Sequence, residues 1–160
     1  MGFALLSASV SCFTQVYPAL ARRRALALRL TSVATAGTLD RLDALGPDQG
    51  AALVRSISAS LADSIADLGQ NSEIYYFTEK DPRMSMPHAA GTLLTLRDAA
   101  ERSGHESVRA EGRALRVLID DLARLLREQY PRTRGESTEA VLRSAAVHHG
   151  HDFGDARPPG

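Results

Sequence analysis

Residues 148–153 read His-His-Gly-His-Asp-Phe, placing three of the chain's five histidines and an acid within five positions. Imidazole and carboxylate are ordinary ligands of zinc and other divalent transition metals. A flexible turn could gather His148, His149, His151 and Asp152 around one ion. A closed structural zinc site takes four ligands, and only His88 and His105 lie elsewhere in the sequence to complete one. The same run also has a reading that needs no metal. Histidines in the last turn of a helix interact favourably with its carbonyl end, and Gly150 stands where a helix would stop. The run is therefore read first as a helix end, with a metal site as the alternative.

A second candidate is aromatic. Tyr75, Tyr76 and Phe77 lie together in the stretch from Asn71 to Pro87, which interrupts the helical period and carries Asp81-Pro82 before closing at Pro87. A lone strand would have no partner to pair with, so a long connection over about 70–87 is expected. Its three rings would line a ligand pocket or face a partner.

Other chemistry finds little support. Cys12 stands alone, so it forms no internal disulfide and has no companions at zinc-finger spacing; it reads as a small buried hydrophobe. Lys80 is the only lysine, which leaves none to spare for a Schiff base or a Walker-type phosphate loop. The nucleophile elbow, the glycine-rich phosphate loop, the H-E-x-x-H motif and the repeated Glu-x-x-His of di-iron bundles are all absent from the sequence. Asp120 and Asp121 are adjacent and point about 100° apart on a helix, so they do not face one another as a catalytic pair. Arg116 and Arg124 lie within helical reach of them, and all four read as solvated helix-face charges.

In "SGHESVRAEGRAL", residues 103–115, His105 followed directly by Glu106 resembles the phospho-accepting helix of bacterial histidine kinases. That resemblance would make His105 the phosphate acceptor and Glu106 its base. It covers only these few residues, the sequence after them departs from the pattern, and Gly104 weakens the helix there. His105 is read as a surface histidine near a helix start.

These residues must be positioned by helices. The 44% hydrophobic and 24% charged composition is that of a folded globular chain, and 160 residues suffice for one domain. Aromatics supply only 5% and tryptophan is absent, so Leu, Val, Ile and Ala must build the core, an inventory suited to closely packed helices. Zero formal net charge gives no long-range attraction for nucleic acid. The lone cysteine suits a reducing, cytoplasmic compartment. Abundant Ala, Gly, Leu and Arg point to a GC-rich coding sequence and a bacterial source.

Apolar residues recur at helical spacing from Leu26 to Leu42, ending near Leu45. Gly46-Pro47 gives a stop and restart, and Val54, Ile57, Leu61, Ile65 and Leu68 mark the next helix. A helix resumes at His88, breaks at Ser103-Gly104, and is followed by a long one to about Tyr130, stopped by Pro131. A last helix runs from Glu136 to about His149. The fold expected is all-α, a bundle of four to five mostly antiparallel helices. Its parts are an apolar leader or first helix over 1–17, one domain over 18–149, and a disordered polar tail over 150–160.

Met1 to Ala21 carries no charged side chain, and Arg22-Arg23-Arg24 follows. The preferred reading is a first helix, with Pro18 near the first turn of the next. An export signal cleaved after Ala21 is the alternative, although no Lys or Arg precedes the apolar run. Ser7, Ser9, Ser11, Thr14, Gln15 and Pro18 make this a poor membrane anchor. The expected function is a small non-catalytic bundle that acts by protein–protein contact, as a homodimer or with a partner helix. Its motive is a surplus of apolar helical stripe. The alternative is a bundle that binds a metal or small ligand through the His148–Asp152 cluster, with Tyr75, Tyr76 and Phe77 lining a pocket.

Overall fold

A computed structural model describes residues 2–150 and Phe153, with the side chains of residues 2–15 left out; Cys12, His151, Asp152 and residues 154–160 therefore lie outside the described side chains. The described chain is all-α. Five α-helices follow one another: α1 (Gly2–Thr35), α2 (Gly46–Gln70), α3 (Met86–Glu101), α4 (Glu106–Gln129) and α5 (Thr138–His148). Short 3-10 turns at Leu39–Leu45, Ser72–Tyr76 and Pro82–Met84 join them, and no strand occurs among the described residues.

α4 is the centre of the bundle. Its apolar stripe, expected from the spacing of Leu115, Leu118, Ile119, Leu122, Leu125 and Leu126, buries Val108, Leu115, Ile119, Leu122, Ala123 and Leu126 against α2, α3 and α5. α2 answers with Val54, Ile57 and Leu61, each fully buried, and α3 with Leu93 and Leu96. The helices thus spend most of their apolar residues on one another. Tyr17 and Leu28 on α1, Tyr76 and Phe77 in the connection after α2, Val117 on α4 and Val147 on α5 remain exposed among the described residues.

Two expectations about the first helix are corrected. α1 runs straight through Pro18 with no break. A proline inside a helix gives up one backbone hydrogen bond and crowds the preceding turn, at about 3 kcal/mol. Here Ala19 and Leu20 directly after it are 1% and 5% exposed and Leu26, Ala27 and Leu30 follow into the core, so packing holds the helix across the fault. Cleavage after Ala21 would take Ala19 and Leu20 out of that core. The α-helix also ends at Thr35 rather than near Leu45, because Gly37 turns left-handed at φ 64°. The chain then winds more tightly, and three residues per turn put Leu39 and Leu42 on the same buried side.

The Arg22-Arg23-Arg24 run is anchored on neighbouring elements. Arg22 pairs with Asp67 of α2 at 2.6 Å, Arg24 with Glu79 at 2.7 Å, and Arg23 reaches the aromatic turn. Together they tie α1 to α2 and to the 71–85 connection. On α4, Arg124 pairs with Asp121, whereas Arg116 leaves Asp120 and pairs with Glu101 of α3. Asp120 accepts a hydrogen bond from Thr138 Oγ1 at 2.7 Å.

Ser103-Gly104 breaks the chain between α3 and α4, as the sequence suggests. Asp43 clamps this turn: one carboxylate oxygen accepts from the Ser103 hydroxyl and the other from Gly104 N–H at 3.2 Å. Ser103 itself is buried. These bonds hold the Asp43 carboxyl below the usual carboxylate range, the Ser103 hydroxyl contributing most. A depressed carboxyl stabilises the fold above its unfolded-state pKa, and the contribution is lost as pH falls through its folded-state value. Urea unfolding of Asp43→Asn should accordingly show a deficit against the parent near pH 7 that narrows on acidification. A deficit constant with pH would mean that the clamp works by shape alone.

Candidate functional site

The two candidate groups meet at one end of the bundle. In the 3-10 turn Ser72–Tyr76, successive residues point about 120° apart, which sends Tyr75 inward and Tyr76 outward. Tyr75 is 4% exposed and Tyr76 64%. Tyr130 caps α4 in an extended conformation, φ −125° and ψ 91°, as a residue before proline prefers. Its ring stacks on Tyr75 at 3.9 Å between centroids and 18° between planes. Tyr76 stands edge-on to both, at 5.4 Å from Tyr75 and 5.9 Å from Tyr130.

Buried phenols need hydrogen-bond partners, and both have them. Tyr75 Oη shares a hydrogen bond with Thr133 Oγ1 at 2.9 Å, and Tyr130 Oη donates to the carbonyl of Ser72 at 3.0 Å. These two bonds join the connection after α2 to the turn after α4.

α5 supplies the histidines. Ser137 caps its start by accepting from Ala140 N–H at 3.2 Å, and Gly150, at φ 71°, ends it. His148 is the last helical residue and His149 the cap, so the helix-end reading describes both. The His148 ring lies nearly parallel to Tyr75, 5.8 Å away, and His149 meets the edge of Tyr75 at 4.7 Å. The two imidazoles are 5.7 Å apart with planes at 79°.

Both rings therefore serve the aromatic cluster. Among the described residues no three His, Cys, Asp or Glu side chains come together to hold a metal. His88 lies in the first turn of α3, and His105 Nε2 lies 3.4 Å from the Asp43 carbonyl at the turn between α3 and α4. A metal site would rest on His151 and Asp152, which lie outside the described residues.

Arg23 braces the turn from beneath, a role the sequence did not suggest. Its Nη1 donates to the Ile74 carbonyl at 2.6 Å and its Nη2 to that of Phe77 at 2.8 Å. Burial pushes the guanidinium's pKa down, and Nε is buried with no hydrogen-bond partner among the described residues. Phe77 contributes this carbonyl and leaves its side chain 47% exposed. It does not line the pocket with the tyrosines.

Two spaces flank Tyr75. Outside is an open concavity of about 380 Å³ lined by Tyr75, Tyr76, Tyr130, Pro131, Arg132 and His148. On the other side is a smaller space of about 60 Å³ with mostly apolar walls, lined by Arg23, Tyr75 and His149 among others. At about 10–15 Å³ of such space per water, the smaller one holds only a few molecules. The outer concavity is the one sized for a ligand, since small molecules occupy pockets of about 300–1,000 Å³.

The cluster also alters acid–base behaviour. Burial, reinforced by Tyr76, Tyr75 and Glu73, pushes the Tyr130 phenol up to about 12. The Tyr75 phenol is raised as well, mainly by burial. In an ultraviolet titration of the phenolates both should ionise later than a free tyrosine, at about 10. A phenol raised on folding contributes stability that is complete below its unfolded pKa and lost as pH rises through the folded value. Alkaline unfolding between about pH 10 and 12 should therefore be milder in Tyr130→Phe, which has no proton to lose. Equal alkaline sensitivity in the two proteins would place the effect elsewhere.

A serine, a histidine and an aspartate also meet, at Asp43, Ser103 and His105. The Ser103 hydroxyl donates to Asp43, and the His105 ring faces the Asp43 main-chain carbonyl. The imidazole is thus not placed to take the serine's proton, and the constellation of a hydrolase is not formed.

Comparison with protein-family models, with characterised proteins and with solved structures finds no match to this chain.

Proposed function

We propose that this protein is a non-catalytic helical bundle that works by binding, and that its binding site is the concavity walled by Tyr75, Tyr76, Tyr130 and His148. The observation that supports this is their convergence. Residues as many as 73 positions apart in sequence are brought into one open, ring-lined space of about 380 Å³. Two of the rings are held by hydrogen bonds, one buried and one part-buried, so the walls are preorganised, which lowers the ordering cost of binding. Ligand-observed NMR with a panel of neutral and charged single-ring fragments tests the reading. Fragments should bind the parent and lose most of that binding in Tyr76→Ala. Equal signals from both proteins would overturn it.

A second reading, contact with a protein partner or a second copy, draws on Tyr76 and Phe77. They are adjacent, exposed and aromatic, and such residues supply much of the energy of protein interfaces. Sedimentation of the parent and of Tyr76→Ala/Phe77→Ala tests it. A self-associated parent that becomes monomeric in the double variant would support this reading, and a parent that is monomeric across the micromolar range would remove the homodimer.

A further inference from the structure

We infer that the outer concavity selects a planar ring carrying a negative charge. The inference rests on the proposed ligand-binding role and names the ligand's class. The walls supply flat surfaces: Tyr76 stands perpendicular to the stacked Tyr75 and Tyr130 rings, and His148 lies parallel to Tyr75. Aromatic faces and edges prefer another flat π-system, met either offset-stacked or edge-on, over a bulky saturated group.

Polarity is set by the rim. Arg132 is the only wall residue with a full fixed charge, and it forms no ion pair among the described residues, whereas ten other arginines do. Its guanidinium offers a forked set of donors matched to a carboxylate. Arg23 adds a positive charge behind Tyr75, but it is offset there by Glu79, and Tyr130 feels Glu73 more strongly than Arg23. Tyrosine faces alone would also welcome a cation. With the charges behind the rings offset, Arg132 in the wall itself turns the preference toward an anion. The phenols of Tyr75 and Tyr130 are already committed to Thr133 and Ser72, so the ligand's charge falls to Arg132. At about 380 Å³ the space suits one or two fused rings.

Calorimetric titration of the full chain with three probes tests this: 2-naphthoate, 2-naphthylmethylammonium and cyclohexanecarboxylate. The first has the ring and the negative charge, the second reverses the charge, and the third removes the aromaticity. Naphthoate should bind at least about tenfold tighter than the other two. Arg132→Gln should weaken it by about tenfold, the scale of one charge-assisted contact, and Tyr76→Ala by several-fold. Both residues are exposed, so neither change threatens the fold. The ammonium probe binding as well as naphthoate would overturn the class while leaving the ligand-binding role intact. Naphthoate binding unmoved by either variant would overturn the site. No binding by any probe at millimolar concentration would overturn the inference, and if the neutral fragments also failed, the binding role would fall with it.

Discussion

Gly112→Leu should destabilise the protein by about 3 kcal/mol or more, enough to consume much of the stability of a chain this size. Gly112 is buried in α4 where it crosses the end of α3. A Cβ there would sit 2.9 Å from Ala100 Cβ, 3.0 Å from Glu101 N and 3.1 Å from Ala100 C. Two of those atoms are backbone, so no side chain can swing aside to make room. The neighbouring connection, Arg102 to His105, is four residues long and clamped by Asp43, so α3 and α4 have little freedom to part. Leucine would push apart the helices that frame Leu93, Leu96, Leu115 and Ile119.

Gly112→Ala is the graded control. Alanine gains up to about 1 kcal/mol of helix propensity, while overpacking costs about 1–3 kcal/mol, so a smaller net loss is expected. Chemical denaturation of the three proteins gives the order directly. An alanine variant more stable than the parent would show that α3 and α4 separate at no cost, and the crossing would need another explanation.

Tyr75→Ala should cost about 3–5 kcal/mol, in the range of emptying a large aromatic site. It removes a ring that is 4% exposed, its stack on Tyr130 and its bond to Thr133, and it opens the outer concavity to the smaller space. Tyr76→Ala, one residue along, should change stability by less than about 1 kcal/mol because an exposed side chain away from such features contributes little. The pair separates architecture from recognition. Tyr75 holds the end of the bundle together, and Tyr76 is free to meet what arrives there. Similar losses from both would deny that division.

Much of this organisation is legible along the chain. The periods of α2 and α4, the Gly46-Pro47 restart and the Ser103-Gly104 break are local signals, each carried by a few neighbouring residues, and the helices lie where those signals put them. What is hidden depends on distance. Tyr130 looks like a mere helix end beside Pro131, and only folding brings it to 3.9 Å from Tyr75, 55 positions earlier. The histidines and tyrosines are two separate candidates in sequence and one cluster in space, because α5 returns its last turn to the connection after α2. Arg23 is obscured by its neighbours, since a run of three arginines suggests solvent rather than two carbonyls waiting beneath a turn. Pro18 misleads for the opposite reason. Its local penalty is real, but the burial of Ala19, Leu20 and Leu26 outweighs it.

The tyrosine cluster also gives the molecule a private optical signature. The chain has four tyrosines and no tryptophan, and three of the four share the concavity, the fourth being Tyr17 on α1. No indole is present to drain their excitation or mask their absorption. Two rings held 3.9 Å apart in a fixed chiral frame should couple and dominate the near-ultraviolet circular dichroism. The near-ultraviolet dichroism would thus report chiefly on one corner of the protein, so that a guest entering the site announces itself without any label.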